Sequence, residues 1–205
     1  MRIGLDFDNT IVSYDALFHK IALETGLIPE GIPVSKVSVR DHLRKAGCED
    51  AWTEMQGTVY GGRMAEAEAF PGVKSFLAWT RSERVPVSIV SHKTLHPFLG
   101  KQYDLHAAAR AWIAESLRDE GGALVPMSDV FFELTKDAKL ARIGAIGCTT
   151  YVDDLPEILL APGFPSEVSP LLFDPDGHHA DVGLPRAPDW KEVQRVVEEQ
   201  WRQTR

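Results

Sequence analysis

The first ten residues, Met1-Arg-Ile-Gly-Leu-Asp-Phe-Asp-Asn-Thr10, run a short apolar stretch into two carboxylates, Asp6 and Asp8, closed by the small polar residues Asn9 and Thr10. Two aspartates at the end of a buried strand repel each other and lose solvation, so the arrangement asks for a divalent cation. Side chains alternate along a strand, so residues two apart can address one site if the strand persists to its carboxyl edge. Within reach is nucleophilic attack by one carboxylate and proton transfer by the other. The competing use is structural, since Asp-Asn-Thr is also ordinary turn chemistry.

Three later segments add to this. Val85-Pro-Val-Ser-Ile-Val-Ser91-His92 reads as a strand ending in a hydroxyl, which with nearby backbone amides suits a phosphate oxygen. Phe131-Phe-Glu-Leu-Thr-Lys136-Asp-Ala-Lys139 puts two lysines in the first turn of a helix, where the helix dipole disfavours them unless an anion lies close by. Thr149-Thr-Tyr-Val-Asp153-Asp154 ends another strand in paired carboxylates, a donor set suited to magnesium. Each has a bland use on its own: backbone satisfaction for Ser91, solvation for the lysines, helix capping for Asp154. Their conjunction supplies a nucleophile, a proton carrier, a hydroxyl, a lysine and a metal-binding acid, and points to phosphoryl transfer.

The elements that must position these groups follow from the hydrophobic pattern. Apolar runs predict strands at 2–7, 85–91, 129–134, 149–152 and 170–173. Helical spacing predicts helices at 73–80, 107–117, 155–160 and from a Thr135 cap through Leu140 and Ile143. Strands alternating with helices predict an α/β fold, a parallel sheet covered on both faces. Residues 13–70 break the alternation with helical pieces at 16–25, 39–46 and 49–68, interrupted by Gly61-Gly62, and read as an insertion. Such a lobe is expected over the carboxyl edge of the sheet, where open α/β folds bind ligands. Trp190, Val193, Val197 and Trp201 form one stripe of a terminal helix that docks on the core.

The 205 residues suffice for one core domain and a small satellite. A formal net charge of −8 argues against a nucleic-acid partner, which would want a basic surface. Cys48 and Cys148 have no ligand spacing around them and are expected as buried free thiols. Neither a secretory signal nor a membrane span is readable, so the expected location is cytoplasmic.

Asp6-Phe-Asp8-Asn-Thr10, Ser91, a lysine at 136 or 139, and Asp153-Asp154 resemble the four ordered motifs of the haloacid dehalogenase (HAD) superfamily, with Phe70-Pro-Gly-Val opening the helix before the second. The resemblance implies a Rossmann-like parallel sheet formed by 1–12 and 71–205, with 13–70 as a helical cap. It implies a phosphatase-like branch, because the dehalogenase branch lacks an acid at the position of Asp8. It further implies Asp6 as nucleophile, Asp8 as acid and base, and Mg2+ held by Asp6, the backbone carbonyl of Asp8, Asp153 and Asp154. Ser91, His92, Asn9 and Lys136 or Lys139 would bind phosphate, with Lys136 preferred as nearer the helix start. The implied substrate is a small phosphate ester such as a nucleotide or sugar phosphate. Arg40, Arg44, Arg63, Trp52, Tyr60 and the stretch 92–103 are candidate readers of its leaving group. Phosphotransfer to another acceptor, phosphomutase chemistry, or phosphate binding without catalysis are the alternatives.

Overall fold

The structure is a computed structural model and describes residues 1–204. Six parallel strands form the main sheet: β1 Ile3–Leu5, β2 Val87–His92, β3 Val130–Glu133, β4 Thr150–Asp153, β5 Ser169–Phe173 and β6 Arg186–Ala187. Their spatial order is β6-β5-β4-β1-β2-β3, so the shortest motif-bearing strand lies at the centre. Registers on its two sides set Leu5 against both Ile89 and Val152. The residues just after Leu5 therefore emerge beside the ends of β2 and β4.

The five expected strands are present, and β6 adds a sixth that two residues were too few to announce. The helices are α1 Asp15–Glu24, α2 Lys36–Lys45, α3 Glu49–Gly57, α4 Val73–Ser82, α5 Leu105–Ser116, α6 Lys136–Ala145, α7 Pro156–Leu159 and α8 Trp190–Gln203. Thr135 caps α6 as expected, its hydroxyl accepting from the Ala138 amide at 3.1 Å. Trp190, Val193 and Val197 of α8 are buried, each valine contributing about 1.5–3 kcal/mol. The Trp190 indole also donates to the Thr10 carbonyl at 3.1 Å, tying α8 to the turn that follows the first motif.

The chain divides into two compact units. One comprises Met1–Ile11, Ala69–Lys93 and Ser116–Arg205; the other comprises Val12–Glu68 and Thr94–Glu115. The second unit thus draws on the segment expected as an insertion and also on α5, which the sequence pattern assigns to the sheet domain. Inside it, Phe18 stacks on Trp52 at 4.8 Å between centroids and Tyr14 meets Tyr60 edge-on at 4.9 Å. The Trp112 indole of α5 donates to the Ala67 carbonyl at 2.8 Å, which anchors that helix to the inserted segment. The helix expected over 49–68 stops at Gly57 and passes through a π turn at Thr58–Gly62, where Gly61 and Gly62 lie close against Tyr103. A Cβ at Gly61 would stand 2.5 Å from the Tyr103 Cβ.

Candidate active site

Asp6 is the first residue past β1, and its amide donates to the Val152 carbonyl at 2.8 Å, so it is held at the sheet's carboxyl edge. Its Oδ1 accepts from Ser91 Oγ at 2.8 Å and from Lys139 Nζ at 2.6 Å. Lys139 Nζ also donates to Asp153 Oδ2 at 2.6 Å and lies 5.6 Å from the centre of the Tyr151 ring. Asp153 Oδ1 accepts from the Leu155 amide at 2.9 Å, which fixes that carboxylate from behind. Thr10 Oγ1 donates to Asp154 Oδ1 at 3.3 Å. Residues at the ends of three adjacent strands and on one helix thus meet in one cluster, Asp6, Ser91, Lys139 and Asp153 all being buried.

Electrostatics in this pocket are unbalanced. Burial, with repulsion from Asp153, pushes the Asp6 carboxyl up to about 7 against the attraction of Lys139. Burial by itself would lower Lys139, but Asp6 and Asp153 outweigh it and hold the ammonium above its ordinary value. Asp6, Asp153 and Asp154 each offer an oxygen, and these atoms lie within 4.8 Å of one another. Three carboxylates against one ammonium leave negative charge that an oxygen-seeking divalent cation would neutralise. The donor set fits magnesium.

Several sequence expectations need amendment. Lys139, not Lys136, is brought to the carboxylates; Lys136 is exposed and pairs with Glu157. A helical side chain leans toward the helix start, so Lys139, one turn in, reaches back to the strand edge, while Lys136 overshoots it. Asp8 does not join Asp6 through strand alternation, because β1 ends at Leu5 and the Asp8 carboxylate lies outside the acidic cluster. Asn9 occupies a left-handed turn with φ 57°, which asparagine tolerates, and that turn carries the chain away after Asp8. His92 bonds to the Leu134 backbone, and burial lowers the pKa of its imidazole. Arg40, Arg44 and Arg63 pair with Asp41, Glu49 and Glu24 respectively, and Trp52 is core. Cys148 is buried and Cys48 only partly so.

The sequence placed Lys93 only within the stretch 92–103 and did not announce its partner. Lys93 is buried, and its Nζ donates to both Asp8 oxygens, at 2.9 and 2.7 Å. Asp6 meets Ser91 across a sequence offset of 85, and Asp8 meets Lys93 across the same offset. Asp8 lies beyond the end of β1 and Lys93 beyond the end of β2, so the shared offset belongs to the folded chain and not to strand register.

No protein-family model and no curated protein sequence matches the chain. Solved structures do. A HAD-family hydrolase from Deinococcus radiodurans R1 with bound phosphate and sodium is 16% identical at TM-score 0.56, with 97% of this chain and 95% of that one covered. A predicted phosphoglycolate phosphatase from Haemophilus somnus 129PT is 16% identical at TM-score 0.56, with 96% and 97% covered. An L-2-haloacid dehalogenase is 14% identical at TM-score 0.56, with 96% and 98% covered.

The chain has the haloacid dehalogenase fold. A predicted phosphatase and a dehalogenase share that HAD fold, so the fold does not choose between their chemistries. That choice falls to the side chains at the strand ends.

Proposed function

We propose that this HAD-fold protein is a magnesium-dependent phosphomonoester hydrolase that works through an aspartyl phosphate on Asp6. The observation that carries the reading is the buried Asp6, gripped by Ser91 and Lys139 and set against Asp153 and Asp154, with Asp8 held separately by Lys93. Ser91 and Lys139 both donate to Oδ1, which leaves Oδ2 as the oxygen to attack phosphorus. The new bond joins Asp6 to phosphorus, and the ester P–O bond breaks. Asp8 delivers a proton to the departing alcohol oxygen. Water then attacks phosphorus and gives a proton to Asp8, and the Asp6–phosphorus bond breaks with its electron pair returning to the carboxylate.

Asp6, Asp153 and Asp154 would hold magnesium, whose charge offsets the repulsion between a carboxylate and a phosphate dianion. Ser91 and Lys139, both on Asp6, would donate to the transferred group's oxygens, where fixed donors stabilise developing charge. Supporting the phosphatase reading over dehalogenation is the acid cluster itself, since attack on a neutral carbon has no need of a cation site.

The test is phosphate release from a panel of nucleotides, sugar phosphates and small phosphorylated acids, with magnesium and again with chelator. Wild type should release phosphate only with the metal, and Asp6→Asn should not turn over. An Asp8→Asn enzyme should lose roughly 10²–10⁴-fold in turnover, the usual worth of general acid-base catalysis. Activity surviving in Asp6→Asn would remove the nucleophile from the scheme.

A further inference from the structure

Resting on that reading, we infer that Lys93 is a positioning residue for Asp8, holding its carboxylate outside the metal-binding acids and oriented for proton transfer. Asp6 and Asp8 are two residues apart and could both turn to one cation. Instead, Lys93 engages both Asp8 oxygens while Asp6 turns to Ser91 and Lys139. Lys93 itself is fixed. Its amide donates to the Glu133 carbonyl at 2.9 Å, its stem is buried, and its ammonium lies 5.6 Å from the centre of the Phe7 ring. Two charge-assisted bonds from a buried lysine leave the carboxylate little freedom to swing toward Asp153 and Asp154.

In the second half-reaction both oxygens of Asp8 are acceptors, as a group that must take a proton from water requires. Water's oxygen bonds to phosphorus, its proton passes to Asp8, and the Asp6 carboxylate leaves with the electron pair. Lys93 acts through Asp8, whose two oxygens it holds. Its effect is to keep Asp8 where that proton transfer is in reach.

The two half-reactions can be read apart with donors whose leaving group needs no proton. p-Nitrophenyl phosphate and acetyl phosphate are the probes, with magnesium present. In Lys93→Met, single-turnover release of the leaving group should stay within about threefold of wild type, while steady-state phosphate release falls about 10–100-fold, the cost of a misplaced catalytic group. The mutant should accumulate acid-stable, alkali-labile phosphoenzyme that wild type does not. Lys93→Arg, which keeps a two-pronged cation, should recover part of the turnover and clear the phosphoenzyme. Equal losses in both phases would mean that Lys93 only supports the fold, and unchanged turnover would mean that it is idle; either overturns the inference alone. A wild type that turns over neither donor overturns the hydrolase reading and this inference with it.

Discussion

Lys139 sits between Asp6 and Asp153, whereas Lys136, three residues earlier, sits in an exposed pair with Glu157. These environments give the two lysines different worth. Replacing Lys139 by Met leaves two buried carboxylates without their counter-charge and should cost on the order of 3–5 kcal/mol, measured by urea unfolding with chelator present. Lys136→Met should cost about 0–1 kcal/mol, as for exposed pairs generally. Equal costs would contradict the burial on which the site is built. Helix periodicity places both lysines near the strand edge; which of them reaches Asp6 follows from the direction in which helical side chains lean.

β1 spans three residues and leads directly into the first motif, so its packing tolerates little. Gly4 is required there by close approach: a Cβ would stand 2.5 Å from Tyr151 Cδ2 and 2.7 Å from Cys148 Sγ. Gly4→Ala should cost about 1–3 kcal/mol through overpacking, and Cys148→Ala in the same chain should recover part of it. Additive losses in that double mutant would argue against the contact. At the end of β5, Asp174 accepts from the His178 amide at 2.9 Å, the His179 amide at 3.1 Å and Arg186 Nη1 at 2.9 Å. Burial works to raise its pKa, but these donors win and hold the carboxyl below its ordinary value. A depressed folded value stabilises the protein above the unfolded value of about 3.9 and loses that contribution as pH falls through the folded value. The stability gap between wild type and Asp174→Asn should therefore narrow as pH drops from about 5 to about 3. A gap constant with pH would show that the carboxylate's charge contributes nothing.

Across the whole chain, the polypeptide passes between its two units at four points, near residues 11, 68, 93 and 115. The consequence is that the helical unit is not one excisable insertion. Replacing 13–68 by a short polar linker should leave Leu105 and Trp112 of α5 without partners in that segment, and an environment-sensitive hydrophobic dye should then bind strongly. Removing 94–115 as well should reduce that binding. Equal dye signals from the two truncations would mean that α5 does not depend on the inserted segment. Among the described residues, no helix is long and apolar enough to cross a membrane.

Local pattern was enough to determine the alternation of strands and helices and to place Asp6, Ser91 and Asp153 at strand ends, because each is set by neighbours within a few positions. Tertiary structure decided the rest. It chose Lys139 over Lys136, gave Asp8 to Lys93 rather than to the acidic cluster, turned His92 to the Leu134 backbone, and moved α5 into the helical unit. Each of these depends on strand register, side-chain direction or a contact between residues far apart in the chain. Sequence spacing says which residues share an element; only the register of β1 between β2 and β4 says which of them meet.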